Sequence, residues 1–200
     1  MIPISEHRLN KIIKEAIGDL TLFHGSNAEF DKFDIAYLST GWGMQDHGRG
    51  FYLTTSRETA RQYAPSGRIY TVQVPKGKYL KSWTIGRTEA MRIAQKFYQY
   101  YLTEDEYGKE AYQGHEQDFW DYECRYIGNC DDGESVYGTI RSLLGSDEGT
   151  TDFLLRLGYK GIVIKGGNAE TGEKFKNYLI FDPDDITIIS REPSPSTPFT

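Results

Sequence analysis

The sequence predicts an α+β fold, and three observations carry that expectation. Residues 68–74 alternate, with Ile69, Thr71 and Gln73 set against Tyr70, Val72 and Val74, the period of a strand. Tyr178-Leu179-Ile180-Phe181 is a short apolar run bounded by polar residues and the turn Asp182-Pro183-Asp184-Asp185, as a buried strand is. Between these strand-bearing ends, residues 84–157 read as mostly helical.

Taken in order, Ser5 caps a helix running to about Ile17, with Leu9, Ile12, Ile13, Ala16 and Ile17 on one face. Residues 21–24 are a strand. Residues 27–49 are an irregular loop with a short helix near Ile35–Leu38, and a Gly41-Trp42-Gly43 turn that reads equally as a lid or a solvent loop. Residues 51–55 are a strand. Ser56 then caps a helix through Ala64, with Glu58 in its first turn to favour the positive end of the dipole. After the strand at 68–74 comes another at 78–83. The stripe Met91, Ala94, Phe97, Tyr98 and Tyr101 marks a helix from Thr88 to Tyr101. Residues 103–114 read as a polar loop, and helices resume near 116–126, 135–144 and 150–157. A strand at 162–164, a loop over 165–174, the strand at 178–181 and a final strand at 186–189 complete the fold. The expected organisation is an N-terminal helix (1–19), one domain (20–190) with a helical insertion (84–157), and a Pro- and Ser-rich disordered tail (191–200).

Composition narrows the function. The 200 residues carry a net charge of −6, which argues against nonspecific phosphate binding through clustered cations. A local basic rim of Arg49, Arg57, Arg61, Arg68 and Lys76 still leaves a nucleic-acid substrate open. Two cysteines, Cys124 and Cys130, cannot complete a zinc site by themselves and read as thiols of a reducing cytosol. His115 with Glu116 and Asp118 has no metal-ligand spacing, so no metal is expected. No apolar run is long enough to span a membrane. The 15 tyrosines exceed the 10 phenylalanines, which suits an aromatic binding surface as well as a core.

Two segments carry the chemistry: Phe23-His24-Gly25-Ser26, and Gly50-Phe51-Tyr52-Leu53-Thr54 followed by Tyr63 on the next helix. Each sets a polar or aromatic side chain at a strand end beside a glycine, a plausible clamp for a flat, amide-bearing ring. Taken singly, His24 and Tyr52 read more readily as a strand-end histidine and a core tyrosine. His47 reads as a polar loop residue or as a contact, with Arg49, for phosphates or an acceptor.

In order and spacing these segments resemble the ADP-ribosyltransferase superfamily, in its diphtheria-toxin and poly(ADP-ribose) polymerase branch. That signature places a His, a Tyr and a Glu on three strands. Phe23-His24-Gly25-Ser26 matches the first motif, Gly50-Phe51-Tyr52 the second, and Tyr63 the second stacking aromatic. Asn177-Tyr178-Leu179-Ile180-Phe181-Asp182-Pro183 matches the third, with Asn177 where the family places its Glu. Gly158-Tyr159-Lys160-Gly161-Ile162 is similar to such domains in phage and mobile-element proteins. Ala60 also departs from relatives that carry a small hydroxyl there.

The resemblance implies a split β-sandwich of two small, mostly antiparallel sheets around a cleft that holds NAD as co-substrate. His24 and Ser26 would bond ribose hydroxyls. Gly25 would bring its backbone to the nicotinamide amide, Tyr52 and Tyr63 would flank the ring, and Thr54 would line the site. His24, Tyr52 and Asn177 would be the catalytic set. The implied activity is mono-ADP-ribosylation of a protein or nucleic acid by a cytoplasmic toxin or effector of bacterial or phage type, held in check by an antitoxin or inhibitor. Asn177 can hydrogen-bond but supplies no charge and no base. Three readings follow: Asn177 suffices for transfer, Glu170 or Glu173 moves in, or NAD is bound without efficient turnover. A glycohydrolase toxin is the rival enzyme, and an RNA 2′-phosphotransferase a more distant one.

Overall fold

A computed structural model describes residues 19–38, 47–167 and 172–194. The helix expected at 5–17, the turn at 41–43, Glu170 and the tail beyond Ser194 lie outside the described residues. The described residues gather into two compact units. One holds 19–38, 50–78, 165–167 and 172–194, and the other holds 47–49 and 79–164.

The strands are β1 (Asp19–Ser26), β2 (Phe51–Thr54), β3 (Arg68–Pro75), β4 (Lys78–Lys81), β5 (Tyr159–Gly167), β6 (Lys174–Ile180) and β7 (Thr187–Pro193). The first unit orders its strands β6-β2-β1-β3-β7, each neighbour antiparallel to the next. β1 and β3 pair along their whole length, from Asp19↔Pro75 to Ser26↔Arg68. β1 and β2 meet at one pair, Phe23↔Thr54. The α+β expectation holds; the five strands of this unit lie in one continuous sheet, in which β2 and β1 meet at a single rung. Alternation buries Tyr70, Val72 and Val74 of β3 together with Leu22 of β1 and Leu53 of β2, while Ile69 is buried on the opposite face.

Helix α1 (Arg57–Gln62) begins where its sequence signal lies. Ser56 Oγ accepts from the Thr59 amide at 3.2 Å, and Glu58 occupies the first turn. The helix stops two residues earlier than its pattern suggests, with Tyr63 as C-cap. The short helix expected near Ile35 is a 3₁₀ turn, Ile35–Tyr37, capped by Asp34.

The second unit is helical: α2 (Arg87–Thr103), α3 (Glu106–Ala111), α4 (Glu116–Phe119), a π turn (Trp120–Cys124), α5 (Arg125–Gly128), α6 (Gly133–Leu144) and α7 (Asp147–Arg156). α2 buries Ala90, Ile93, Ala94, Phe97 and Tyr101, one turn-spaced stripe. Met91 and Tyr98, expected on that stripe, are half-buried at its edge. Phe97 packs against Tyr101, Phe119 and Phe153 with ring centroids 5.5, 6.2 and 5.2 Å away. This aromatic core, together with neighbouring β4 and the start of β5, makes the block a unit in its own right.

Several boundaries differ from the sequence reading, and the following have a local cause. Residues 106–111 are helical, not loop, because Asp105 caps them by accepting from the Gly108 amide at 2.8 Å. Residues 165–167 continue β5, with Gly166 lying so close to the Phe175 ring that a Cβ would sit 2.2 Å from it. Residues 191–193 belong to β7, where Arg191 pairs with Tyr70 and Pro193 with Arg68. Pro193 is tolerated there because β7 is an edge strand of this unit.

Candidate active site

The site builds outward from the single rung between β1 and β2. One residue past it, the carbonyl of Tyr52 takes a hydrogen bond from His24 Nδ1 at 2.9 Å. A carbonyl only accepts, so Nδ1 carries the proton and Nε2 of the neutral ring is an acceptor. A side chain thus stands where the ladder would otherwise continue, and the two halves part at this point.

His24 lies among aromatic rings. Phe33 meets it edge-on at 5.2 Å, Phe30 at 6.0 Å and Tyr70 at 6.3 Å. Phe30 stacks on Tyr70 at 4.3 Å, and the buried Tyr70 hydroxyl donates to the Ala28 carbonyl while accepting from the Phe30 amide, each at 3.0 Å. Arg191 adds a bond to the Phe30 carbonyl at 3.2 Å. The start of the long loop is therefore pinned as a wall beside the imidazole. Burial pushes the His24 pKa below its ordinary value, with the Tyr52 bond opposing in part.

The sign of the resulting pH dependence follows. Below about pH 6.5 the unfolded chain takes up a proton at this ring before the folded chain does. Stability contributed by His24 is fully present above that pH and is lost as pH falls through the depressed folded value. Thermal unfolding at pH 7.5 and 5.5 should show an acid loss in the wild type that shrinks in His24→Asn. An equal loss in both would assign it to other groups.

β2 and β6 bring further candidates together. Tyr52 pairs with Leu179 and Thr54 with Asn177. Directly paired and alternate residues share a face, so Tyr52, Thr54 and Asn177 lie on one side of β2–β6. Phe51, on the opposite side of β2, is the ring that reaches Phe33, at 5.4 Å. What His24 shares with Tyr52 is the carbonyl, and the phenol is set with Thr54 and Asn177. Asn177 lies inside β6, half-buried, not in a turn. Thr54 is 5% exposed and its hydroxyl accepts from the Ser56 amide at 3.2 Å, which serves the approach to α1. Ser26 Oγ accepts from the Ala28 amide at 3.1 Å, leaving its hydroxyl proton to donate. Tyr63 is 54% exposed at the end of α1.

Gly25 has a reason that sequence alone does not show. A Cβ built on it would lie 1.8 Å from the Ala60 carbonyl oxygen and 3.3 Å from Ala64 Cβ. The space left by the missing side chain is filled by α1, so it is the helix that demands glycine here. Ala60, the second departure from the family pattern, is buried in that contact.

Several sequence candidates have other partners. Arg57 pairs with Glu192, Arg61 with Glu58 and Arg68 with Glu29, so three cations of the supposed basic rim are matched by carboxylates. His47 pairs with Glu134 at 3.0 Å within the helical unit. His115 lies 3.7 Å from Asp118 on the surface. Cys124 is buried and its thiol is pushed up to about 12, mainly by burial, and both cysteines are free. Among the described residues no group of three His, Cys, Asp or Glu is placed to hold a metal, and no helix is long and apolar enough to cross a membrane.

The chain belongs to the family described as ADP-ribosyltransferase in polyvalent proteins, which matches residues 18–194. That span takes in every candidate site residue and the whole helical unit. Members of this superfamily use NAD as substrate. No curated protein matches the chain. A solved structure described as that of an anti-CRISPR protein aligns over 88% of this chain and 95% of its own, at 15% identity and a TM-score of 0.34. That likeness is too loose to carry an argument.

Proposed function

We propose that the protein transfers ADP-ribose from NAD to a macromolecular acceptor and releases nicotinamide. The observation that carries this reading is His24 bonded to the Tyr52 carbonyl at the split of the sheet, within a chain of this family. The residue types suit the dinucleotide; by register His24 and Ser26 lie on one face of the sheet, and Tyr52, Thr54 and Asn177 on the other. His24 Nε2 accepts a ribose hydroxyl, Ser26 donates to another, and the half-exposed Tyr63 offers a ring face to nicotinamide, with Tyr52 on the strand beside it. Scission builds positive charge on the nicotinamide ribose, and the protein's part is to hold that sugar and leave one face open to the acceptor.

Asn177 holds a hydroxyl without adding charge. The site then works through grip and orientation, and turnover is modest. Asn177→Glu should raise the rate of nicotinamide release by about tenfold or more, since one well-placed charge is worth that much in a dry site. An unchanged or lower rate would show that the position takes no part. Glu173, in the strand-to-strand connection before β6, is the described carboxylate weighed against it, and Glu173→Gln in the Asn177 background tests that route.

The acceptor reading leans toward protein. The overall charge is negative, and Arg57, Arg61 and Arg68 are each spoken for by a glutamate. The test is incubation with NAD labelled in its adenylate part and cell lysate, half treated with nuclease and half with protease. Label that vanishes with protease supports a protein acceptor, and label that vanishes with nuclease a nucleic acid. Free ADP-ribose alone would make the protein a glycohydrolase. Neither label nor nicotinamide would reduce it to an NAD-binding module. A toxin or effector role with an inhibitor partner belongs to the same proposal, and growth arrest on expression of the wild type but not of His24→Ala would support it.

A further inference from the structure

Phe30-Asp31-Lys32-Phe33-Asp34 repeats a Phe-Asp pair, and residues 28–33 lie as a strap across strands of their own unit. Below the strap runs one rung of the sheet. His24 of β1 pairs with Tyr70 of β3, and Tyr70 pairs with Arg191 of β7. Directly paired residues share a face, so the three side chains stand in a row under the strap. Each holds a different part of it. The Tyr70 hydroxyl donates to the Ala28 carbonyl and accepts from the Phe30 amide, each at 3.0 Å. Arg191 donates to the Phe30 carbonyl at 3.2 Å and to Asp31 Oδ1 at 2.5 Å. Phe33 meets the His24 ring at 5.2 Å and reaches Phe51 of β2 at 5.4 Å.

Phe30 is the fixed point of the strap. Its amide is held by Tyr70 and its carbonyl by Arg191. Its ring lies on Tyr70 at 4.3 Å with 10° between the planes. From there it stands edge-on to His24 at 6.0 Å and to Phe33 at 5.0 Å. The imidazole is thus confined by rings whose own place is set by Tyr70. That tyrosine is fully buried, and for packing alone a phenylalanine would serve. Both bonds of its hydroxyl go instead to strap backbone, 42 and 40 residues away in sequence.

We propose that Tyr70 is a positioning residue for the site: its hydroxyl fixes the strap at Ala28 and Phe30, and through Phe30 and Phe33 the strap holds the His24 ring in the orientation that points Nδ1 at the Tyr52 carbonyl and leaves Nε2 as the acceptor. The bond to Tyr52 by itself fixes a distance, while the last torsion of a histidine is soft. Two edge-on rings remove that freedom. Which nitrogen of a neutral imidazole carries the proton depends on the bond the other one makes, so ring orientation and tautomer are set together.

The link to substrate rests on the proposed NAD chemistry, so two of the three readouts are taken without NAD. In Tyr70→Phe the ring stays on Phe30 and only the hydroxyl is lost. Amide hydrogen exchange at 28–33 should quicken by about tenfold or more, because two bonds go together, while the amides of β3 keep their rates. The imidazole nitrogen NMR signals of His24 should move from a ring protonated at Nδ1 toward a mixture of the two tautomers. With NAD, KM should rise by about tenfold while kcat stays within about twofold, the pattern of lost ground-state placement. Ile69→Val, buried on the opposite face of the same strand, is the control for general loosening and should move none of the three. Arg191→Gln, which removes the outer anchor at the edge strand, should move exchange and the nitrogen signals in the same direction and by less. Unchanged exchange at 28–33 in Tyr70→Phe overturns the proposal, as does an equal response from Ile69→Val. Quickened exchange with unmoved His24 signals, or with an unmoved KM in an active enzyme, also overturns it and makes the strap a structural element only. A wild type without NAD turnover would sink the proposed function and leave exchange and the nitrogen signals to decide the role of Tyr70.

Discussion

Gly25→Ala should cost the protein on the order of 3 kcal/mol, the upper range for forcing an atom into packed structure. The new methyl would have to occupy a point 1.8 Å from the Ala60 carbonyl oxygen. That oxygen belongs to the backbone of α1, which Ser56 caps at one end and which is buried at Ala60, with Ala64 buried just past its C-cap. No rotamer change relieves the contact, so the helix must move off β1. For a domain of this size the loss corresponds to roughly 10 °C in Tm. Ala60→Gly in the same chain should not rescue it, since the obstacle is the carbonyl and not the methyl. A Gly25→Ala protein that melts like the wild type yet fails to cleave NAD would return the glycine to the role the family resemblance gives it, close approach to nicotinamide.

Much of this fold is legible in the sequence because local and tertiary demands agree. Ser56 with Glu58 announces α1, and the alternation across 68–74 announces β3. In α2 the spacing of Ala94, Phe97 and Tyr101 marks the buried stripe. The misread segments are those where one local contact outweighs composition. Residues 106–111 look like a polar loop but are rescued as a helix by the Asp105 cap. Pro193 suggests a tail, yet an edge strand accepts a residue without an amide hydrogen. The candidate site was legible only as a set of residue types in order. The motifs placed His24 and Tyr52 on neighbouring strands, but the bond between them, to a carbonyl and not to a phenol, depends on where β1 and β2 part. Gly25 was singled out for its freedom of approach, whereas its neighbour is a helix 35 residues further on. Tyr70 was legible only as one face of the alternation, since a tyrosine there is ordinary core until its hydroxyl is seen to hold the backbone at Ala28 and Phe30.

His24 offers the second large effect, because its two nitrogens do separable work. Nδ1 donates to the Tyr52 carbonyl where the sheet halves meet, while under the proposed function Nε2 accepts from a ribose hydroxyl. His24→Ala removes both functions. It removes the bond to the Tyr52 carbonyl and the ring that packs on Phe33, at a cost of about 1–3 kcal/mol in stability, and should slow nicotinamide release by on the order of 10²–10³-fold. His24→Asn divides the two. The Asn amide nitrogen falls near the place of Nδ1 and can still donate to the carbonyl, but nothing stands where Nε2 was. This variant should melt close to the wild type and remain as slow as the alanine variant. His24→Gln, whose longer amide reaches toward the Nε2 position, should recover part of the rate and lose the structural bond. The order of the three variants in Tm and in nicotinamide release is thus different, and only a histidine that serves sheet and substrate separately produces that crossing. If Asn and Gln fall together in both measurements, the imidazole is a packing residue of the aromatic wall and the substrate is held elsewhere.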